Sequence, residues 1–224
     1  MALNRGVILN FNLQHIVTTL PIILLSLAVH EYFHAYVANQ LGDPTARLMG
    51  RMTFNPFAHI DLFGMLAFIL IGFGWAKPVP VNPYAFSDRK SGMIKVSIAG
   101  PLSNLALSIL FAILYAIFIL GCKFFVIRGL YIPGNVFVSV RWILVYGILI
   151  NITLCVLNLL PFYPMDGSKV LLEFLNGPIG SKIAVFIQKY SYYLFLIILI
   201  TGIFEKFMSL INSQILSMLN LLLS

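Results

Sequence analysis

The run Leu20-Pro21-Ile22-Ile23-Leu24-Leu25-Ser26-Leu27-Ala28-Val29-His30-Glu31-Tyr32-Phe33-His34 carries an apolar stretch directly into three ionisable side chains. It belongs to a longer segment, from about Phe11 to Val37, whose polar interruptions such as Gln14 and His15 lie near its start. A helix of that length crosses the ~30 Å hydrocarbon core of a bilayer. Ala35 to Ala38 continue the helix beyond the trio, so His30, Glu31 and His34 are expected within the membrane, near one surface. Ionisable groups cost roughly 2.5–3.5 kcal/mol or more each at mid-membrane and mark function there.

The rest of the chain agrees with a membrane setting. Of its 224 residues 60% are hydrophobic and 9% charged, against roughly 25% charged in an average soluble domain. A soluble surface needs charges that this sequence lacks, which excludes a water-soluble fold. The net charge of +7 is spread over 14 Lys and Arg, with Arg89, Lys90 and Lys95 as the nearest approach to a cluster. Such a surplus reads as topology signal and contact with the head groups of the lipid bilayer. No basic and aromatic interleaving suggests a nucleic-acid partner. Cys122 and Cys155 stand in unlike settings and make no disulfide framework. The N-terminal apolar stretch has no small-residue cleavage pattern before it and reads as a retained span.

Further spans are expected over roughly Met93 to Leu120, Val136 to Leu160 and Ile183 to Ile203, with Phe207 to Leu222 either crossing or lying in the interface. Gly42 to Asp61, rich in Gly, Pro, Arg and Asn, reads as a loop with a short strand. Leu62 to Phe73 is too short to span at ~1.5 Å per residue and is expected to be re-entrant or packed at partial depth. In Trp75 to Pro83 three prolines, Pro78, Pro80 and Pro83, exclude a helix and impose an extended backbone. Such a backbone is tolerated at membrane depth where protein or a water-filled cavity satisfies it. The expected fold is an all-α membrane protein: one polytopic domain over residues 1–224, with about five to six transmembrane helices and a re-entrant or extended segment near the active site. Counting Lys and Arg by alternate sides gives nine on the inner side (Arg47, Arg51, Lys77, Arg89, Lys90, Lys95, Lys169, Lys182, Lys189). Five fall on the outer side (Arg5, Lys123, Arg128, Arg141, Lys206). The excess directs the motif-bearing ends toward the cytoplasm and suits a multi-pass protein of the cell membrane.

His30 and His34, four apart on a helix, project from one face about one turn apart, where two imidazoles can bind one Zn²⁺ at ~2.0–2.1 Å. Glu31 between them fits the zinc-hydrolase pattern in which a glutamate serves as general base toward water at the metal. A helix end that merely faces water is the plain alternative. Catalytic zinc commonly takes three protein ligands, so a third is required. Glu173 and Glu205 look interfacial, and Asp43, Asp61 and Asp88 lie in polar loops. Asp166 stands apart in a Pro164-Met165-Asp166-Gly167 turn after a complete apolar span. His15 and His59 are not expected to be ligands.

Three stretches together make the chain resemble the site-2 proteases, the intramembrane zinc metalloprotease family. They are His30-Glu31-Tyr32-Phe33-His34, Ala99-Gly100-Pro101-Leu102-Ser103-Asn104 and Asn158-Leu159-Leu160-Pro161-Phe162-Tyr163-Pro164-Met165-Asp166-Gly167, in the family's order. The chain is similar to a compact member without a PDZ or CBS domain. The resemblance implies one zinc per chain, with Asp166 as third ligand beside His30 and His34. It also implies that Asn158 polarises or orients the scissile carbonyl, and an amide N–H₂ near the end of an apolar span suits that task. An interhelical hydrogen bond is the structural alternative for Asn158, and the expected role of Asn104 and Asn151.

The extended Lys77-Pro78-Val79-Pro80-Val81 suits a substrate-binding strand for a locally unfolded peptide, with a plain connecting loop as its rival. The expected activity is hydrolysis of peptide bonds in transmembrane or membrane-associated protein substrates, Glu31 taking a proton from water and returning it to the leaving amine. A metal transporter would explain the ligands but not Glu31, and the inverted repeats of many carriers are absent. A catalytically idle homologue is disfavoured by the intact His30, Glu31, His34 and Asp166. Substrate identity and oligomeric state are not legible.

Overall fold

The computed structural model describes residues 13–71, 74–175 and 177–223. The expected start of the first span at Phe11, the outer-side Arg5 and the end of the re-entrant stretch at Phe73 lie outside them. Within them every regular element is helical, and the chain divides into two compact units, Met1–Gly92 and Met93–Ser224.

In the first unit, α1 spans Leu13–Gln40, with Pro21 inside it. It stops where Gly42 takes φ +102°, a conformation open to glycine at little cost, so that the Asp43 N–H reaches back to the Ala38 carbonyl at 2.9 Å. One helical turn follows, α2 (Thr45–Leu48), then a 3₁₀ turn over Pro56–His59 capped by the Asn55 side chain. The small residues Ala35 of α1 and Ala46 of α2 are fully buried and, with Val79, form a compact core flanked by Met52. The short strand expected between Gly42 and Asp61 is reduced to a single antiparallel bridge, Ile60 to Ala76.

α3 covers Leu62–Ile71; its 10 residues rise about 15 Å, half a bilayer core, as expected of a non-spanning segment. A side chain at Gly64 would meet the Trp75 carbonyl oxygen at 2.1 Å, so the extended chain lies directly on this helix. From Gly74 to Asn82 the chain is non-helical, as the prolines require, with Ala76 in the bridge to Ile60 and Asn82 extended, before a 3₁₀ turn at Pro83–Ala85.

In the second unit, α4 (Arg89–Ile127, its first residues still in the first unit) is longer than the expected Met93–Leu120: beyond Lys123 the apolar run resumes in Phe124-Phe125-Val126-Ile127, and no proline interrupts it there. α5 (Gly134–Leu159) starts directly after Pro133 and ends where Leu160 turns extended before Pro161. α4 and α5 pack through Tyr115, Ile119, Val145 and Ile148, joined by Leu219. Above that apolar contact, the Asn104 amide donates to Asn151 Oδ1 at 3.0 Å and Asn151 donates to the Gly147 carbonyl at 2.8 Å, both residues fully buried. They are the interhelical amides that the sequence suggests. Ile109, Ile113 and Ile117 of α4 are more than half exposed, as suits a lipid-facing surface.

Three further helices complete the unit: α6 (Asp166–Phe174), α7 (Gly177–Ile200) and α8 (Ile203–Leu221). α6 is the element that the sequence reading passed over. α7 begins and α8 begins a few residues earlier than expected, separated only by Thr201-Gly202. Among the described residues four helices are long and apolar enough to cross a membrane, within α1, α4, α5 and α7. The chain is thus an all-α, polytopic membrane protein. α8, undecided in the sequence, is 19 residues long with Glu205 and Lys206 near its start.

Candidate metal centre and active site

α1 places His30 and His34 on one face, as spacing by four requires. Their Nε2 atoms stand 3.0 Å apart, with the rings edge to face and both buried. Tetrahedral zinc at ~2.0–2.1 Å sets two ligating nitrogens about 3.3 Å apart. The pair is within a few tenths of an ångström of that spacing. With each ring protonated on Nδ1, both Nε2 atoms carry a lone pair free for a metal. As a donor set, two buried imidazoles of this geometry fit a zinc ion.

Glu31 is also buried, and its Oε2 accepts the Val79 N–H at 2.8 Å. The extended segment is therefore tied to the acid of the motif. Val79 is itself buried, whereas Lys77 and Pro78 are exposed and Pro80 and Val81 half-buried. Other bonds hold the same segment. The Lys77 N–H donates to the His59 carbonyl at 2.8 Å, and the Arg51 guanidinium donates to the carbonyls of Lys77 at 2.6 Å and Pro78 at 3.3 Å. The Asn82 N–H donates to Asp43 Oδ2 at 2.6 Å.

Asp43 is fully buried. Burial pushes its carboxyl up, but hydrogen bonds from the Thr45 hydroxyl, the Asn82 N–H and the Thr45 N–H outweigh this and hold it below the usual carboxylate range. Asp43 and Arg51 are the residues that sequence reasoning missed. The Asp43-Pro44-Thr45 turn carries a local signal, an Asx side chain accepting the N–H two residues on. Arg51 carries none, since its partners are 26 and 27 residues away. His59, set aside as a ligand, is buried with Nε2 against the Thr53 carbonyl at 2.9 Å. His15 lies in α1, among residues whose side chains are not described.

In the second unit the Pro164-Met165-Asp166-Gly167 turn, closed by the Ser168 N–H to the Met165 carbonyl at 3.1 Å, runs straight into α6, with Asp166 as the first residue of that helix. Asp166 is buried, and its Oδ1 accepts a 2.7 Å ion pair from Lys169 one turn on. The start of a helix is the favourable end for a carboxylate. Gly167 explains how the turn closes: a side chain there would stand 2.2 Å from the Leu159 carbonyl oxygen and 2.6 Å from that of Leu160. Only a glycine lets the start of α6 lie against the end of α5. Asn158, on the last turn of α5, is half-buried and donates its amide to the Leu154 carbonyl at 3.0 Å. One of its amide hydrogens is thus engaged within its own helix.

A histidine pair with the spacing of zinc ligands and a buried glutamate, all on one apolar helix, are the features of a membrane metallohydrolase. Residues 132–202 match the model of peptidase family M50. The chain is 34% identical over 180 residues to YwhC of Bacillus subtilis strain 168, covering 80% of this chain and 78% of that protein. It is 28% identical over 164 residues to MJ0611 of Methanocaldococcus jannaschii, covering 72% and 73%. To Rip2 of Mycolicibacterium smegmatis it is 30% identical over 186 residues, covering 80% and 64%. All three relatives are provisionally named zinc metalloproteases. No solved structure matches the chain. The chain belongs to peptidase family M50, the site-2 proteases, and is a membrane zinc metalloprotease.

Proposed function

We propose that the protein cleaves transmembrane or membrane-associated protein substrates at a single zinc held by His30, His34 and Asp166, the two compact units acting as one protease domain. The observation that carries this is the pair of Nε2 atoms of His30 and His34, 3.0 Å apart and buried, with the buried Glu31 next in sequence to His30. Zinc, when bound, supplies Lewis acidity toward water and the scissile carbonyl.

The protein's own groups then divide the work. Glu31, one oxygen fixed by the Val79 N–H, takes the proton of the attacking water with the other and returns it to the leaving amine. Asn158 orients the scissile carbonyl with the amide hydrogen that does not bond Leu154. Lys77-Pro78-Val79-Pro80-Val81 receives the unwound substrate as an added strand. The site faces the cytoplasmic side of the cell membrane, in keeping with the nine-to-five distribution of Lys and Arg.

The deciding experiment is zinc per chain in detergent-purified protein, wild type against Asp166→Ala and His34→Ala. About one zinc in wild type and a loss of most of it in both variants is expected, since removal of a ligand weakens a three-ligand site severely. Full zinc occupancy in Asp166→Ala would remove Asp166 from the ligand set.

A further inference from the structure

We propose that Arg51 is a positioning residue for Glu31, acting through the peptide bond between Pro78 and Val79; the inference rests on the general-base role of Glu31 given above. That one peptide unit is held at both ends. Its carbonyl accepts from Arg51 Nη2 at 3.3 Å, and its N–H donates to Glu31 Oε2 at 2.8 Å. In a trans peptide the C=O and N–H point to opposite sides, so fixing the carbonyl aims the N–H. The second Arg51 contact, 2.6 Å to the Lys77 carbonyl, adds a neighbouring point of attachment and removes the freedom of the segment to turn about its own axis.

Arg51 is more than nine-tenths buried, and among the described residues it makes no ion pair. A buried guanidinium without a carboxylate is costly. Here the nearest compensating arrangement is a chain of charge, dipole and charge: guanidinium, peptide, carboxylate. The prolines make it specific. Pro78 and Pro80 have no N–H, so Val79 is the single backbone donor from Pro78 to Pro80, and the carboxylate has no other donor in that stretch to slip to. Glu31 is thereby held by one oxygen in a fixed rotamer while the other is left for proton transfer.

A residue that merely braced a substrate-binding strand would act differently on the kinetics. Loss of bracing weakens substrate binding and raises KM, whereas a mis-aimed base lowers kcat at unchanged KM. The test uses the full chain in phosphatidylcholine vesicles with a fluorescent single-span reporter helix containing an Asn-Gly pair. Arg51→Ala and Arg51→Lys are compared in wild-type and Glu31→Gln backgrounds, with zinc content and Tm measured for each. Expected are a fall of about ten- to a hundredfold in kcat for Arg51→Ala, as for loss of a supporting hydrogen bond at an active site, with zinc unchanged and any rise in KM, from loosening of the substrate segment, smaller than the fall in kcat. Arg51→Lys, still able to donate to one carbonyl, recovers part of the rate. In the Glu31→Gln background Arg51→Ala brings no further fall.

Hydrogen exchange gives a readout free of activity, because from Pro78 to Pro80 the Val79 amide is the one that exchanges; it quickens in Arg51→Ala and less in Arg51→Lys. A rise in KM at constant kcat, or an equal loss with and without Glu31, overturns the proposal. Should Arg51→Ala fail to fold, Arg51→Lys carries the same comparison. A zinc-loaded wild type that cuts no reporter counts against the proteolytic reading instead. Exchange at Val79 then decides Arg51 alone, and unchanged exchange in both variants overturns its role.

Discussion

Glu31 and Asp43 are both buried acids of the first unit, and their surroundings assign them different work. Glu31 accepts from the Val79 N–H, its one backbone donor among the described residues, and is next in sequence to His30 of the histidine pair. Its replacement by Gln preserves size and a carbonyl oxygen for Val79 but removes the base. Activity in Glu31→Gln is expected to fall by about 10²–10⁴ with zinc content unchanged, measured by reporter cleavage and metal analysis on one preparation. Wild-type activity in that variant would sink the general-base assignment.

Asp43 instead accepts three hydrogen bonds and ties α2 to the far end of the extended segment. Its folded carboxyl is held below the ordinary value of 3.8. The stability it contributes is therefore complete above that value and is lost as pH falls through the lower folded one. Asp43→Asn is expected to lower Tm at neutral pH, by roughly 1–3 kcal/mol of stability for a charged hydrogen-bond acceptor. Thermal melts of both proteins from pH 7 to pH 2.5 would show the difference shrinking below about pH 4; parallel curves would contradict it.

At the scale of elements, the decisive junction is between α5 and α6. The bend from Leu160 to Met165 is legible in the sequence, where Pro161, Pro164 and Gly167 announce it. That a helix follows at once, with Asp166 as its first residue, is not. α6 is a 9-residue amphipathic piece, and apolar-run reading finds only segments long enough to span. Gly167→Ala would drive a methyl into the Leu159 carbonyl, which is backbone and cannot step aside. Overpacking of this kind costs about 1–3 kcal/mol. The variant is expected to melt lower and, because Asp166 is the neighbouring residue, to bind zinc more weakly. Calorimetry with zinc titration checks both, and unaltered zinc affinity would separate the junction from the metal.

At the scale of the molecule, four helices among the described residues carry enough apolar length to cross a bilayer, and the distribution of Lys and Arg makes a testable statement about their direction. Cysteines introduced as Ser87→Cys, before α4, and Gly129→Cys, after it, in a background without Cys122 and Cys155, are expected to be labelled from opposite sides of inverted and right-side-out vesicles. Ser87→Cys should react from the cytoplasmic side. Labelling of both from one side would reverse either the topology or the reading of α4 as a span.

The sequence by itself determined the membrane class, the long apolar helices, the histidine pair with its glutamate and the extended proline segment. Each rests on a local rule: apolar length, spacing by four on a helix, or the missing N–H of proline. What Glu31 touches was decided by tertiary structure alone. The Val79 N–H lies 48 residues from it, and Arg51 reaches the same peptide from 27 residues away. No periodicity encodes such a meeting. A buried carboxylate needs donors and a strand between prolines has one to give, so the fold, by packing Val79 on Ala35 and Ala46, selects the pair.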